Sequence, residues 1–100
     1  MRNNMSALAI PEQFINAVAE LFDAIVPVAT DDELFASGYL RGHFDLAVGT
    51  LQVDGEPFAA IDVITQVNNT LELAIGNGEL NPEDQQHVNK IWSQAQQLAA

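Results

Sequence analysis

Between Pro27 and Pro57 the chain has no proline, and that stretch opens with Thr30-Asp31-Asp32-Glu33. Thr30 and Glu33 have the spacing of a capping box. In such a box each side chain accepts a hydrogen bond from a backbone N–H that the first helical turn leaves free. Three acids in that turn also meet the positive end of the helix dipole. A helix is therefore predicted over residues 30–53, a rod of roughly 35 Å at ~1.5 Å per residue. Read at 100° per residue, Leu40, Phe44, Ala47, Val48 and Leu51 form one broad apolar stripe. Phe35, Tyr39, Leu46 and Val53 form a second stripe on another side. A helix apolar on two sides is expected at the centre of a bundle, packed by more than one neighbour.

Gly38, Gly42 and Gly49 lie between the stripes with Asp45, and Arg41 lies at the edge. Each mid-helix glycine costs about 1 kcal/mol relative to alanine. The simplest reason to keep three is close approach of another backbone. The strip is accordingly read as a structural, tight helix–helix contact in preference to a ligand groove. Arg41 and Asp45 have the i,i+4 spacing of a helix ion pair, worth about 0.3–0.5 kcal/mol when exposed. The sharper alternative is a partly buried Arg41 whose planar fork holds a carboxylate or loop carbonyls.

The rest of the chain reads as three more helices. Pro11 suits a first turn, and Phe14, Val18, Leu21 and Ile25 recur at helical spacing up to Pro27, which predicts a helix over 11–26. Val53-Asp54-Gly55-Glu56 closes the long helix, and Pro57 is expected to open the next, over 57–75. That segment is rich in β-branched residues, but its length without glycine or proline argues for a helix. Gly76-Asn77-Gly78 is a stop signal, Asn81 a cap and Pro82 a first-turn residue, so a fourth helix is predicted over 82–98 with Trp92 as its core anchor. Short connections between four amphipathic helices imply an all-α, antiparallel four-helix bundle. Residues 1–10 read as a flexible arm and 11–100 as a single helical domain.

Asp31-Asp32-Glu33-Leu34-Phe35-Ala36-Ser37-Gly38-Tyr39-Leu40-Arg41-Gly42-His43 resembles the signature of the YfcL family of small bacterial proteins. A second similar block runs through Ala74-Ile75-Gly76 and Gly78-Glu79-Leu80 to Pro82, Asp84 and Trp92. The resemblance spans residues 31–92. It implies a small, cytoplasmic, all-helical protein, and it brings no catalytic residues to carry over.

Fourteen acids against three bases give a formal net charge of −11. Such a surface repels phosphate backbones and anionic lipid, so neither nucleic acid nor membrane is an expected partner. With no cysteine, thiol catalysis, disulfides and thiolate metal sites are excluded. No apolar run approaches the ~20 residues that span a bilayer, and no signal segment is evident, so a cytoplasmic location is expected. His43 and His87 are the only histidines and share no metal-ligand spacing. No phosphate loop, calcium loop or catalytic triad spacing is present. No catalytic, metal or cofactor residue is therefore assigned, and the chain is not read as an enzyme.

Two functional classes remain. The first is a non-catalytic protein-interaction module. Its candidate face is Tyr39, Arg41 and His43, with Asp31 and Asp32 at the helix start and Phe35 beside them. Its partner would be a basic protein surface or a second copy, leaving the chain a monomer or a homodimer. If Phe35 and Tyr39 were both buried within one chain, that face would not be the contact. The second class is a small-molecule or metal-binding protein with a pocket floored by Arg41 beside Gly38, Gly42 and Gly49.

Overall fold

A computed structural model describes residues 11–99. The arm expected over residues 1–10 lies outside the described residues, as does Ala100. The described chain is four helices without a strand: α1 (Pro11–Ile25), α2 (Asp31–Asp54), α3 (Ala60–Gly76) and α4 (Pro82–Gln97). The all-α four-helix bundle is the fold that the sequence predicts.

The capping box at Thr30 forms in both directions. Thr30 N–H donates to Glu33 Oε1 at 2.8 Å, and Glu33 N–H donates to Thr30 Oγ1 at 3.2 Å. At the other end Gly55 takes φ +80°, a left-handed conformation that a Cβ would penalise, and closes α2. Pro27 falls in a single 3-10 turn, Val26–Val28, that links α1 to α2. At the end of α3, Glu79 N–H donates to Ala74 O and Gly78 N–H to Ile75 O, both at 3.0 Å. These are the two bonds of a Schellman stop, with Gly78 at φ +78°. Asn81 then caps α4 by accepting Asp84 N–H at 2.7 Å.

One boundary differs from expectation. Helix α3 begins at Ala60, not at Pro57. The start is set by Asp62, whose Oδ2 accepts the Ala59 N–H at 2.8 Å. Alanine offers no capping side chain, so the signal sits three residues inside the helix and is easily missed.

Pro11 and Ile15 lie beside Leu51 and Gly55, while Ile25 and Val28 lie near Glu33. Helices α1 and α2 are therefore antiparallel. The contacts His43–Thr70 and Tyr39–Glu79 set α2 and α3 antiparallel. Glu33 meets His87, and Phe44 meets Trp92, so α2 and α4 run the same way. Helix α2 touches all three others, as its central place in the sequence reading requires.

Phe44 is the hub of the core. Its ring meets those of Phe14, Phe22 and Trp92 edge-on, at centroid distances of 5.9, 6.1 and 6.4 Å. Edge-to-face pairs of this kind add roughly 0.5–1.5 kcal/mol each beyond area burial. Trp92 is buried, and its Nε1–H donates to Asn68 Oδ1 at 2.7 Å, which satisfies the one polar atom of the ring.

A candidate interaction face on the outer side of α2

The stripe of Leu40, Phe44, Ala47 and Val48 is buried, with Leu51 at its edge. The second stripe is not. Phe35 is 52% exposed, Leu46 64% and Val53 89%, with Tyr39 half-buried among them. The expectation that both stripes are packed within the chain is thus corrected. Among the described residues, three neighbouring helices cover the inner half of α2, and none covers the side turned away from α4.

The structure also corrects the reason given for the glycine strip. A Cβ built at Gly38, Gly42 or Gly49 would meet nothing within 4 Å. No backbone among the described residues approaches them, and they lie on or beside the open face. With Phe35, Tyr39, Leu46 and Val53 they complete a seam. Phe35, Tyr39, Gly42, Leu46, Gly49 and Val53 recur at steps of four and three, the spacing that keeps side chains along one line of a helix. Tyr39, Gly42, His43 and Leu46 line a shallow concavity of about 180 Å³ on that line.

Tyr39 and His43 are held in place by α3 and the turn that follows it. The Tyr39 hydroxyl donates to Glu79 Oε1 at 2.7 Å. Burial pushes its pKa up from 10.0 to about 12, helped by the hydrogen bond to Glu79 and by that carboxylate's charge. The Tyr39 ring lies 4.8 Å from the His43 ring and 6.1 Å from the Phe35 ring. His43 Nδ1 is 2.8 Å from Thr70 Oγ1. Thr70 spends its hydroxyl proton on Val67 O at 3.1 Å, so its oxygen accepts from His43. That places the imidazole proton on Nδ1 and leaves Nε2 as a free acceptor in the neutral ring.

Of the other candidate residues, only Asp31 joins this face. Arg41 turns toward α1, where Nη1 pairs with Asp23 Oδ1 at 3.2 Å and the guanidinium lies 5.5 Å from the Phe22 ring centroid. The expected partner, Asp45, is not used. Asp23 is offered by the helix that Arg41 already faces, and the guanidinium gains a cation–π contact with the Phe22 ring. Arg41 lines none of the three concavities found among the described residues, and its guanidinium points at the exposed Asp23 instead. Asp31 lies at the head of the open face. Asp32 lies toward α4, where its carboxylate, that of Glu83 and a ring nitrogen of His87 come within 4.8 Å of one another. Both acids occupy first-turn positions, where the helix dipole alone favours a carboxylate. Next to them, Glu33 is held below its ordinary pKa of 4.5. The Thr30 backbone N–H is the main cause, and the Thr30 side chain and the charges of His87 and Lys90 add to it.

Sequence reasoning missed Glu79 and Thr70 as the residues that fix Tyr39 and His43. No local signal marks a partner 40 or 27 residues away. It also missed the role of Leu46 and Val53, although the four–three spacing was there to be read.

Fold and face together define a small all-helical protein that presents an apolar seam on one helix. The family model described as YfcL protein matches residues 12–97. The chain is 47% identical over 88 residues to "Uncharacterized protein YfcL" of Escherichia coli (strain K12), an alignment covering 88% of this chain and 95% of that protein. The chain belongs to the YfcL family. No solved structure matches it. No described helix is long and apolar enough to cross a membrane.

Proposed function

We propose that this protein is a non-catalytic protein-interaction module and that the outer face of α2 is its contact surface. The observation that carries the reading is the exposure of Phe35, Leu46 and Val53 in one line with the half-buried Tyr39. Isolated exposed apolar residues are ordinary, but a contiguous line of them on a monomer marks an interaction site. Tyrosine suits such a surface because its ring gives area and its hydroxyl a fixed polar tip. Here the tip is already anchored on Glu79, so little freedom remains to be lost on binding. A net charge of −11 favours a basic partner and speeds its encounter.

Affinity capture from the lysate of cells that naturally express the protein tests this reading. Wild type is run beside Leu46→Asp, Tyr39→Ala and Arg41→Ala, each shown to be folded by circular dichroism. The expected result is a protein retained by wild type and Arg41→Ala and lost with the two seam variants. Capture that ignores Leu46→Asp and Tyr39→Ala, or no capture at all, overturns the reading.

A further inference from the structure

We infer that the seam on α2 receives one α-helix from a basic partner protein, with large side chains of that helix seated over Gly42 and Gly49. This rests on the interaction reading above and adds the partner's shape and charge.

The shape follows from spacing. Phe35, Tyr39, Gly42, Leu46, Gly49 and Val53 alternate steps of four and three along α2. That mean repeat of about 3.5 residues is the one by which two helices keep a common seam. An extended strand or an irregular loop gains nothing from it. Large and absent side chains also alternate along the line. Phe35, Leu46 and Val53 project, whereas Gly42 and Gly49 leave gaps in which a Cβ would touch nothing within 4 Å. Knobs need such holes, and no residue among those described fills these two. Neither glycine has the left-handed φ that would explain it by backbone conformation, since only Gly55 and Gly78 are in that region.

The charge follows from the flanks. Asp31 and Asp45 lie along one side of the seam, and Glu79, which accepts from the Tyr39 hydroxyl, along the other. Arg41, the single base of α2, is engaged by Asp23. Flanking positions are where paired helices exchange ion pairs, so the complementary helix carries Lys or Arg there. A second copy of this chain fits badly. A two-fold pairing of α2 about Leu46 brings two Asp45 carboxylates to its centre and joins two chains that each carry a net charge of −11.

The test places a photoreactive benzophenone amino acid at Leu46 in the full chain, in cells that naturally express it. A second version carries it at Ile61, an exposed apolar residue of α3 away from the seam. Mass spectrometry identifies the segment cross-linked after irradiation. That segment is then synthesised, labelled, and titrated with wild type and with Gly42→Leu by fluorescence anisotropy. The expected segment is rich in Lys and Arg and gains helical circular dichroism on binding. Its affinity falls between low salt and about 1 M salt, where the screening length is only ~3 Å. Gly42→Leu should weaken it about tenfold or more by filling the hole, with no loss of thermal stability in the free protein. A cross-link at Leu46 to a second copy, to an acidic segment or to one that binds without forming helix overturns this inference while leaving the interaction face intact. Unchanged affinity with Gly42→Leu does the same. No cross-link at Leu46 above the yield at Ile61 overturns the interaction reading and this inference together.

Discussion

Replace Gly38, Gly42 and Gly49 by alanine, singly and then together. Glycine in a helix interior is less favourable than alanine by about 0.8–1.0 kcal/mol, because it loses more backbone freedom on folding. That gain is realised only where the new methyl group fits. At each of the three sites a Cβ meets nothing within 4 Å, and none has the positive φ seen at Gly55 and Gly78. Each single variant is therefore expected to be more stable than wild type by roughly 0.8–1.0 kcal/mol. The triple variant is expected to gain about 2–3 kcal/mol, allowing a few tenths of non-additivity between sites one turn apart. For a chain of this size each kcal/mol moves the melting midpoint by about 4–8 °C, so the triple variant should melt at least ~8 °C higher. Urea titrations read by Trp92 fluorescence and far-UV circular dichroism give the free energies, and a thermal scan gives the shift. Gly55→Ala and Gly78→Ala are the contrast. They force a Cβ into the left-handed region and should cost about 1–2 kcal/mol each. A loss of more than ~0.5 kcal/mol in any of the three α2 variants would mean that something packs against the strip within the chain. The outer side of α2 would then not be an open face.

Three further outcomes are expected. Arg41→Ala should cost less than about 1 kcal/mol in the same urea assay, because the Arg41–Asp23 pair is solvent-exposed at both side chains. A loss of several kcal/mol would instead mean a buried fork. Glu33 has its carboxyl pKa lowered from 4.5, so its contribution to stability is present above that pH and disappears as pH falls through the lowered value. In an acid titration the advantage of wild type over Glu33→Gln should vanish well below pH 4.5, and a constant difference across the range would refute the assignment. Tyr39 is the only tyrosine, so an ultraviolet absorbance titration reads it alone. Its midpoint should lie near 12, the folded state losing this contribution to stability as pH rises from 10.0 toward that value. Glu79→Gln should lower the midpoint part of the way to 10.0, since burial is the larger cause, and an unchanged midpoint in folded protein would break the Tyr39–Glu79 link.

Most of the fold was legible in local chemistry. Thr30 with Glu33, Gly55, Gly76-Asn77-Gly78 and Asn81-Pro82 each act within a few residues, and each starts or stops a helix where the sequence reading places it. The start of α3 was not legible, because Ala59 gives no cap and the acceptor comes from Asp62. The site was legible only in part. Tyr39 and His43 do share a face, since four residues along a helix is one turn, and Asp31 heads it. Arg41 was misjudged because i,i+4 spacing names an available partner, not the best one. Asp23 arrives from α1, and its position depends on how two helices cross. Glu79 and Thr70 are invisible for the same reason.

The choice between two apolar stripes on α2 shows where such reading stops. Periodicity establishes that both Phe44 and Leu46 lie on apolar lines, and nothing in the spacing says which line is covered. Covering is settled by the number of neighbours. Three helices pack on α2, and the shared hub of Phe14, Phe22, Phe44 and Trp92 draws them to one side of it. The described residues supply no fifth helix for the opposite side. A seam that served only the monomer would gain by becoming polar, and its glycines by becoming alanine. Instead it keeps Phe35, Leu46 and Val53 in water and forgoes the stability that Gly42→Ala and Gly49→Ala would add. Both costs fall on the same line of α2, and a helix supplied by another protein would remove the first and make use of the second.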